Sequence, residues 1–358
     1  MTPKPPTTSE TMAQVQCHLR HAVALIEAAG VDRAEVLADV GLAADALEGD
    51  DMATLPFGDY FRIRSYIAAR VRDETCHMSA RQLLPGSTDF VMGHLPPEGT
   101  LADAMEIVAR SYNLLHGGEF NTVEVSEAGA VFCIDDSSFP YTMQSIDDQL
   151  LFSMEAILLF LHGLLMLVAP YQAAKGLKSV SVRRDAQRGP APHLDIWTMG
   201  VAFGAPRYEL AYGPEAVSTR VRFPSADKLT AEAIERQIQQ IIERGPGHDT
   251  RDDSIVDAAR DLIASGLAEQ SAVAKALGVS PATLRRRLTE EGQTFRGLRR
   301  DTLDGVAKEL LRTDHGVAAV ADRLGFSDVR SFNRAFKLWN GVTPKAFQQA
   351  HGCGADAT

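Results

Sequence analysis

Residues 271–350 contain the same local pattern twice, and this repetition constrains the fold more than any other feature of the chain. Each copy has a short apolar helix pattern begun or preceded by a polar residue, a glycine turn, and a serine that precedes a second helix. The first copy comprises Ser271, helix 272–277, Gly278, Ser280 and Pro281, and the second comprises helix 317–324, Gly325, Ser327 and helix 328–338. Proline suits the first helical position because the N–H there has no helical partner. The pattern predicts an all-α double helix-turn-helix domain over 254–350, an arrangement that reads adjacent segments of a DNA major groove.

Apolar pairs spaced four residues apart predict which face of each second helix is buried. Leu284 and Leu288 form this pair in the first unit, and Phe332 and Phe336 form it in the second. The opposite faces are left to approach DNA, where arginine can bond guanine and asparagine can bond adenine through two hydrogen bonds. The predicted DNA-binding residues are Ala282, Thr283, Arg285, Arg286, Val329, Arg330, Asn333, Arg334 and Lys337. Of the basic residues, Lys337, Arg299 and Arg300 are expected to contact phosphates, which position a protein without reading sequence.

A less specific interpretation of the same residues stays open. The run Arg285-Arg-Arg287 points around most of a helix, so at least one arginine should be solvated or paired with Glu290 or Glu291. The whole segment also has an alternative as an ordinary helical bundle.

Charge is unevenly distributed along the 358 residues, a length that predicts two domains and a linker. The net charge is −11, yet residues 272–350 hold 14 Lys/Arg against 8 Asp/Glu, so the rest of the chain is strongly acidic. The four cysteines form no CxxC or Cys/His cluster, which predicts no metal site, no cofactor and a reducing compartment. The first ten residues lack the apolar segment of a signal peptide, so a cytoplasmic, nucleoid-associated location is expected.

The region before the repeated pattern is predicted to be an α+β domain over 12–243, followed by a Gly/Pro-rich linker over 244–253. Helices are expected over 14–29, 31–47, 54–72, 101–115, 150–169 and 227–243, with Thr100 as a cap. Short strands are expected over 122–126, 130–135, 180–183, 201–203 and 208–211.

The helix over 150–169 has the length and hydropathy of a membrane span, but Glu155 and His162 favour a buried core helix. Asp148, Glu155 and His162 recur every seven residues and therefore share one face. This stripe, with Trp197, is one candidate for the polar lining of a mainly apolar ligand pocket, which Phe139 and Tyr141 would also border. The alternative is that the stripe faces water and the aromatic residues belong to the core.

The C-terminal segment resembles the AraC/XylS family of bacterial transcription regulators over 254–349. The resemblance rests on Leu277-Gly, Ser280-Pro-Ala-Thr-Leu-Arg-Arg-Arg-Leu, Leu324-Gly-Phe, Phe332-Asn-Arg-Ala-Phe-Lys and Gly341-Val-Thr-Pro-Lys-Ala-Phe347. It implies seven helices and base contacts by Ala282, Arg285, Arg286, Val329, Arg330 and Asn333. Two residues depart from the family pattern, since Leu303 and Gln348 stand where arginines are frequent.

A second, looser resemblance covers residues 15–243. Val201-Ala-Phe-Gly-Ala-Pro-Arg-Tyr-Glu-Leu-Ala-Tyr-Gly213 and Arg222-Phe-Pro-Ser-Ala-Asp227 are similar to the end of the arabinose-binding-like sensor domain in one branch of the family. This resemblance implies an effector-binding or dimerisation domain and does not identify the ligand as a sugar.

These observations favour a transcription regulator, activating or repressing, that binds double-stranded promoter DNA under the control of a small-molecule effector. Contact with RNA polymerase and homodimer formation are expected partnerships, and no membrane partner is expected. One alternative is a constitutive dimeric regulator without a ligand. The other is an enzyme fused to a DNA-binding module, which the absence of a Pro-Cys-His-Arg or GxSxG motif disfavours.

Overall fold

The computed structural model describes residues 15–50, 52–142, 147–244, 255–264, 267, 269–277, 279–312, 316–326 and 328–351. Contacts divide the chain into two compact units, Met1–His248 and Asp249–Thr358. The first unit combines helices and strands, and the second has helices and no strand among its described residues. An α+β domain followed by an all-α domain was the predicted fold class, and it is confirmed.

The N-terminal unit has nine α-helices and nine strands among its described residues, besides three short 3-10 helices at Ala186–Arg188, Pro192–Ile196 and Ala226–Lys228. Its helices are α1 (Leu19–Ala29), α2 (Arg33–Asp39), α3 (Phe57–Val71), α4 (Ser87–Gly93), α5 (Leu101–His116), α6 (Asp148–Val168), α7 (Pro170–Gly176), α8 (Pro214–Ser218) and α9 (Ala231–Arg244). Its strands are β1 (Gln16–His18), β2 (Thr54–Pro56), β3 (Glu98–Gly99), β4 (Asn121–Ser126), β5 (Gly129–Ile134), β6 (Leu177–Ser181), β7 (Val201–Ala202), β8 (Tyr208–Tyr212) and β9 (Val221–Arg222).

The largest sheet has five strands in the order β4-β5-β8-β6-β7. Its neighbours are antiparallel except β6 and β7, which run parallel. Strands β4 and β5, which lie where short strands were predicted, pair as a hairpin with Asn121 opposite Ile134 and Ser126 opposite Gly129. Two smaller antiparallel pairs, β1-β2 and β3-β9, bring together segments that lie far apart in the sequence. Strand pairing in the N-terminal unit is therefore mostly antiparallel.

Two predicted helices are shorter than expected at their N-terminal ends. Residues 16–18 and 54–56 pair with each other as strands, so the helices begin only at Leu19 and Phe57. By contrast, α5 begins where predicted, because Thr100 and Asp103 form a capping box in which each side chain accepts a backbone N–H of the other residue.

Helix α6 is the central helix of the N-terminal unit. By length and composition it is one helix of the described residues that could cross a membrane, and 78% of its most apolar window is buried. It packs closely on α9, since a Cβ added at Gly163 would lie 2.8 Å from Cγ1 of Ile238. The expectation of a buried core helix is confirmed.

The C-terminal unit has seven helices in its described residues. They are α10 (Ile255–Ala264), α11 (Gln270–Ala276), α12 (Pro281–Glu290), α13 (Phe295–Arg312), α14 (Val317–Arg323), α15 (Val329–Asn340) and α16 (Pro344–His351). The prediction that Ser271 caps its helix is wrong, because α11 already begins at Gln270 after Glu269. The predicted turn residue Gly278, the predicted cap Ser327 and linker residues 245–253 lie outside the described residues.

Candidate DNA-binding surface and N-terminal cavity

Helix α12 is held in place by its cap and by two buried leucines. The Ser280 hydroxyl accepts the Thr283 N–H at 3.0 Å, and Pro281 occupies the first helical position. Leu284 and Leu288 are completely buried, as their spacing predicted. Each residue one or two positions away from the leucines consequently points away from the core.

The exposed face of α12 carries arginines in different states. Arg286 forms an ion pair with Glu290 at 2.6 Å, which agrees with the expectation that at least one arginine of the run is solvated or paired with Glu290 or Glu291. The side chain of Arg285 is exposed and has no hydrogen-bond or ion-pair partner among the described residues. Ala282 is also exposed, whereas the half-buried Thr283 hydroxyl lies 2.8 Å from that of Ser280. Arg285 is therefore a basic side chain of α12 that is both exposed and unpaired within the described residues.

Helix α15 repeats this construction with aromatic residues. Phe332 and Phe336 are completely buried and contact Phe326 and Phe347, with ring centroids 5.3 and 5.6 Å apart. The cap is Asp328, whose carboxylate accepts the Ser331 N–H at 2.8 Å. The helix consequently starts at Val329, one residue later than predicted.

The predicted DNA-facing residues of α15 lie on its accessible side. Arg330, Arg334 and Lys337 are exposed, Asn333 is half-buried, and 37% of Val329 is accessible. Within the described part of the chain, these polar side chains have no ion-pair partner. The surface is more mixed than that of α12, because it combines an amide and a branched apolar side chain with the cations.

Helix α13 links the two helix-turn-helix motifs and contains two of the predicted phosphate-contacting arginines. Arg300 is exposed and pairs with the neighbouring Asp301 at 2.8 Å. Arg299 is half-buried, and its Nε atom is buried without a hydrogen-bond partner among the described residues. Leu303, which replaces a frequent arginine of the family pattern, is buried in the core. This position therefore serves packing within the domain.

In the N-terminal unit, two of the three residues of the polar stripe on α6 are buried, and Asp148 is partly exposed. Glu155 is fully buried and accepts hydrogen bonds from Arg184 at 2.8 Å and from His193 at 2.7 Å. Asp148 bonds Arg184 as well, and also Arg20 at 2.8 Å. Burial acts to raise the pKa of Asp148, but the hydrogen bonds from both arginines outweigh it and hold the pKa below its ordinary value. The water-facing alternative is wrong for Glu155.

His162, the third residue of the stripe, is also buried. Its Nδ1 atom lies 2.9 Å from the hydroxyl oxygen of Tyr212, and its ring meets the Trp197 ring edge-on at 5.6 Å between centroids. Burial lowers the pKa of His162 to about 4, so the ring is neutral at pH 7. These contacts join α6 to the sheet, and the ligand-binding role of the stripe and of Trp197 stays a prediction.

A cavity of about 260 Å³ lies on a different side of α6, against α3, α5 and α9. Its walls are mostly apolar, with polar side chains at a few positions. The lining residues are Arg64, Ala68, Ala69, Glu74, Thr75, Met78, Leu83, Pro85, Gly86, Thr88, Tyr112, His116, Phe120, Asn121, Ile134, Phe139, Met154, Ile157, Phe160, Leu161, Ala231 and Glu235. Phe139 borders this cavity, whereas Asp148, Glu155, His162 and Trp197 do not line it.

One wall of the cavity is a loop with an unusual backbone. Arg72, Cys76 and His77 have φ values of 57°, 51° and 62°, a left-handed conformation that non-glycine residues adopt only at an energetic cost. The buried Asp73 carboxylate stabilises this conformation by accepting backbone N–H groups of Thr75, His77 and Leu83 at 2.9–3.1 Å. The loop is therefore fixed in a shape that its backbone alone would disfavour.

Comparisons with known proteins match both units. The family described as the arabinose-binding domain of AraC transcription regulators, N-terminal, matches residues 30–221, which is more than half of the chain. A helix-turn-helix domain matches residues 273–350. The chain belongs to the AraC family of transcription regulators. The resemblance identified from the motifs is thus confirmed.

Individual relatives align with this AraC-family chain over only part of its length. An uncharacterised HTH-type transcriptional regulator of Mycobacterium tuberculosis is 45% identical over 78 residues, which cover 22% of this chain and 23% of that protein. The regulator VirS of the same species is 31% identical over 108 residues, or 30% of this chain and 32% of VirS. The chain thus aligns with about a quarter to a third of the length of these relatives.

Among solved structures, the chain is similar to the C-terminal domain of AraT, a response regulator from Geobacillus stearothermophilus. The identity is 29%, the TM-score is 0.27, and the match covers 29% of this chain and 91% of that one.

The cavity's polar residues were not predicted from the sequence, although a signal for two of them exists. Arg64 stands between Tyr60 and Ile67 on the apolar face of α3, and Glu235 stands beside Ile234 and Ile238 on α9. A charged residue within an apolar stripe is unusual, because burying a charge is costly unless it has partners. Reading the helices for such interruptions would have identified both residues.

Proposed function

We propose that this AraC-family protein is a sequence-specific, DNA-binding transcription regulator controlled by a small molecule bound in its N-terminal domain. The observation that carries the proposal is the pair of capped helices, α12 and α15. Each is anchored by two completely buried side chains and presents exposed basic residues on its other face. Exposed basic side chains on a capped, well-packed helix are what insertion into a major groove requires.

The two helices are proposed to read different bases. Arg285 and Arg330 are assigned to guanine, because each is exposed and free of an ion pair among the described residues. Asn333 is assigned to adenine, Ala282 and Val329 to apolar contact with thymine methyl groups, and Arg334 and Lys337 to phosphates. Arg286 is paired with Glu290 and the Thr283 hydroxyl with that of Ser280, so DNA would compete with these partners for both side chains. This asymmetry favours a non-palindromic half-site for each protomer.

The assignment can be tested by fluorescence anisotropy with a duplex selected from a random library by the full-length wild-type protein. Arg285→Ala and Arg330→Ala are each expected to weaken specific binding by roughly tenfold or more and to relax the preference at one base pair. Arg236→Ala is the control, since this exposed arginine lies on α9 in the other unit. Unchanged specific affinity in both recognition-helix variants would refute the base contacts.

Control by an effector separates this proposal from a constitutive dimeric regulator. The N-terminal cavity supports a ligand-responsive protein, since mainly apolar pockets with a few polar groups are typical of small-molecule sites. A constitutive regulator would bind the selected duplex equally well with and without every small molecule that binds the protein. The two functions are therefore distinguished by measuring DNA affinity with each small molecule found to bind.

The partners of the regulator follow from the same proposal. We place the protein in the cytoplasm, on promoter DNA, with RNA polymerase as its protein partner and with a homodimer as the assembly to be tested by light scattering. We propose no enzymatic activity, no cofactor and no membrane partner.

A further inference from the structure

The cavity between α3, α5, α6 and α9 contains one side chain whose hydrogen-bonding capacity is largely unused. Arg64 is half-buried, and among the described residues its guanidinium makes one hydrogen bond, from Nη2 to the backbone oxygen of Glu74 at 2.8 Å. Its Cζ atom also lies 6.0 Å from the centroid of the Phe160 ring. A guanidinium has five N–H donors in a rigid plane. Most of these donors have no acceptor within the described residues, while the contacts with Glu74 and Phe160 fix where the group lies.

Both acidic side chains of the cavity already accept hydrogen bonds, and Glu74 accepts more of them than Glu235 does. Glu74 accepts hydrogen bonds from Gly86 N, Thr88 N and the Thr88 hydroxyl at 2.7–3.0 Å, so both of its oxygens are occupied. Glu235 accepts a hydrogen bond from the Ser65 hydroxyl. Burial raises the pKa of Glu235, although the Ser65 hydrogen bond and the charge of Arg64 oppose the shift. If another carboxylate binds beside Glu235, protonating Glu235 therefore costs less than protonating an exposed glutamate would.

The cavity therefore combines a guanidinium that uses few of its donors with two carboxylates that already accept hydrogen bonds. His116 adds a further unsatisfied atom, since its Nδ1 is buried without a hydrogen-bond partner among the described residues. The remaining walls offer hydrocarbon and aromatic surface from Met154, Ile157 and Leu161. A ligand that complements this site brings a planar acceptor for the guanidinium and an apolar body for these walls.

Resting on the proposed function, we infer that the cavity binds an apolar monocarboxylate, with its carboxylate on Arg64 and its hydrocarbon part against α6. Arginine pairs with carboxylates through two parallel hydrogen bonds, which gives both strength and orientation. The volume of about 260 Å³ exceeds the ~150 Å³ of an apolar cavity that holds benzene. The site thus has room for a medium-length acyl chain or for one aromatic ring with a short side chain.

The test is isothermal titration calorimetry on the full-length protein with four probes. Octanoate and 3-phenylpropanoate represent the acyl and aryl sources of the carboxylate, while octylamine and octanol have the same apolar chain without the anion. Binding by at least one carboxylate, with no binding by octylamine or octanol, is the expected result. Binding by octylamine alone, or by no probe, would overturn the inference.

Four variants locate the carboxylate. Arg64→Gln is expected to weaken binding by about tenfold or more, since a charge-assisted pair is lost. Arg64→Lys keeps the charge without the planar fork and is expected to give an intermediate affinity, which also serves if the Gln variant does not fold. Glu235→Gln mimics the protonated acid and should bind the carboxylate as tightly as wild type or more tightly. The matched control is Arg62→Gln on the same helix, whose arginine bonds Asp59 and Val40 outside the cavity.

An unchanged affinity in both Arg64 variants, or loss of binding in Glu235→Gln, contradicts the proposed orientation. Failure of the wider function has a different signature. If the carboxylate binds through Arg64 but leaves the affinity for the selected DNA duplex unchanged, the ligand site stands and effector control does not. If Arg285→Ala and Arg330→Ala leave DNA binding intact, the base contacts are wrong whatever the calorimetry shows.

Discussion

Glu155 shows how a charged residue is accommodated at the centre of α6. Its carboxylate is completely enclosed and receives hydrogen bonds from a guanidinium and an imidazole, and the same guanidinium of Arg184 continues to Asp148. A buried ion pair adds little net stability relative to apolar packing, but removing one partner leaves an uncompensated charge. Removing one member of the network is therefore expected to destabilise the fold by more than the intact network stabilises it relative to apolar packing.

We predict that Glu155→Gln lowers the free energy of unfolding of the N-terminal unit by about 3 kcal/mol or more, because Arg184 and His193 lose a charged acceptor. Urea denaturation followed by Trp197 fluorescence would measure this in a Trp339→Phe background, which removes the only other tryptophan. Glu106→Gln, at an exposed position of α5, is the control and should change the value by less than about 0.5 kcal/mol. Equal stability of the two variants would show that the network is dispensable.

At the scale of elements, two glycines of the C-terminal unit make opposite contributions. Gly305 lies inside α13 with open space around an added Cβ, whereas Gly325 has a φ of 72° in the turn between α14 and α15. In the first position glycine only weakens the helix. In the second position it permits a backbone that a side chain would strain.

Gly305→Ala should therefore raise the free energy of unfolding of the C-terminal unit by about 0.5–1 kcal/mol, and Gly325→Ala should lower it by about 1 kcal/mol. Urea unfolding followed through Trp339 in a Trp197→Phe background measures both changes. The two substitutions add the same methyl group, so each is the control for the other. A shift of the same sign in both would contradict the assigned backbone roles.

Elements that depend on short-range signals could be predicted from the sequence, and elements that depend on distant partners could not. Helices α12 and α15 depend on short-range signals, namely a cap and an apolar pair four residues apart, and their buried faces were predicted correctly. Strands β1 and β2 depend on each other although 39 residues lie between the paired Gln16 and Pro56, and no local signal specifies that pairing. The cap of α15 shows the finer limit, since neighbouring Ser327 and Asp328 are both good caps by composition.

The candidate ligand residues show why a face of a helix is harder to predict than the helix itself. Periodicity places Glu155 and His162 on one face of α6 but does not say what covers that face. Tertiary packing brings Arg184 there from the segment after β6, and Tyr212 from β8. The cavity lies on another face, where Met154 and Leu161 look like ordinary core residues in the sequence.

For the whole molecule, the uneven charge has a measurable effect on DNA binding. The excess of basic residues lies in 272–350, and the remainder of the chain is acidic, so attraction to phosphate is local. Each phosphate contact releases counterions, which makes the affinity depend on salt concentration.

Lys337→Ala in the full-length protein should reduce the slope of log affinity against log salt concentration by about 1 and weaken binding to specific and unrelated duplexes alike. Fluorescence anisotropy at several salt concentrations gives this slope. Lys228→Ala removes an exposed lysine from the acidic unit and is expected to leave the slope unchanged. An identical slope for wild type and Lys337→Ala would remove Lys337 from the phosphate contacts.

Helix α9 lines the cavity and precedes the second unit in the chain, so it bears on how ligand binding and DNA binding affect each other. It contributes Ala231 and Glu235 to the cavity, packs on α6 through Ile238, and is the last described element before the second unit in the chain. Thermodynamic reciprocity then applies: a ligand that changes the DNA affinity by some factor must have its own affinity changed by DNA by the same factor. Titrating the ligand with and without the duplex therefore measures, at the cavity alone, how strongly the two ends of this protein are coupled.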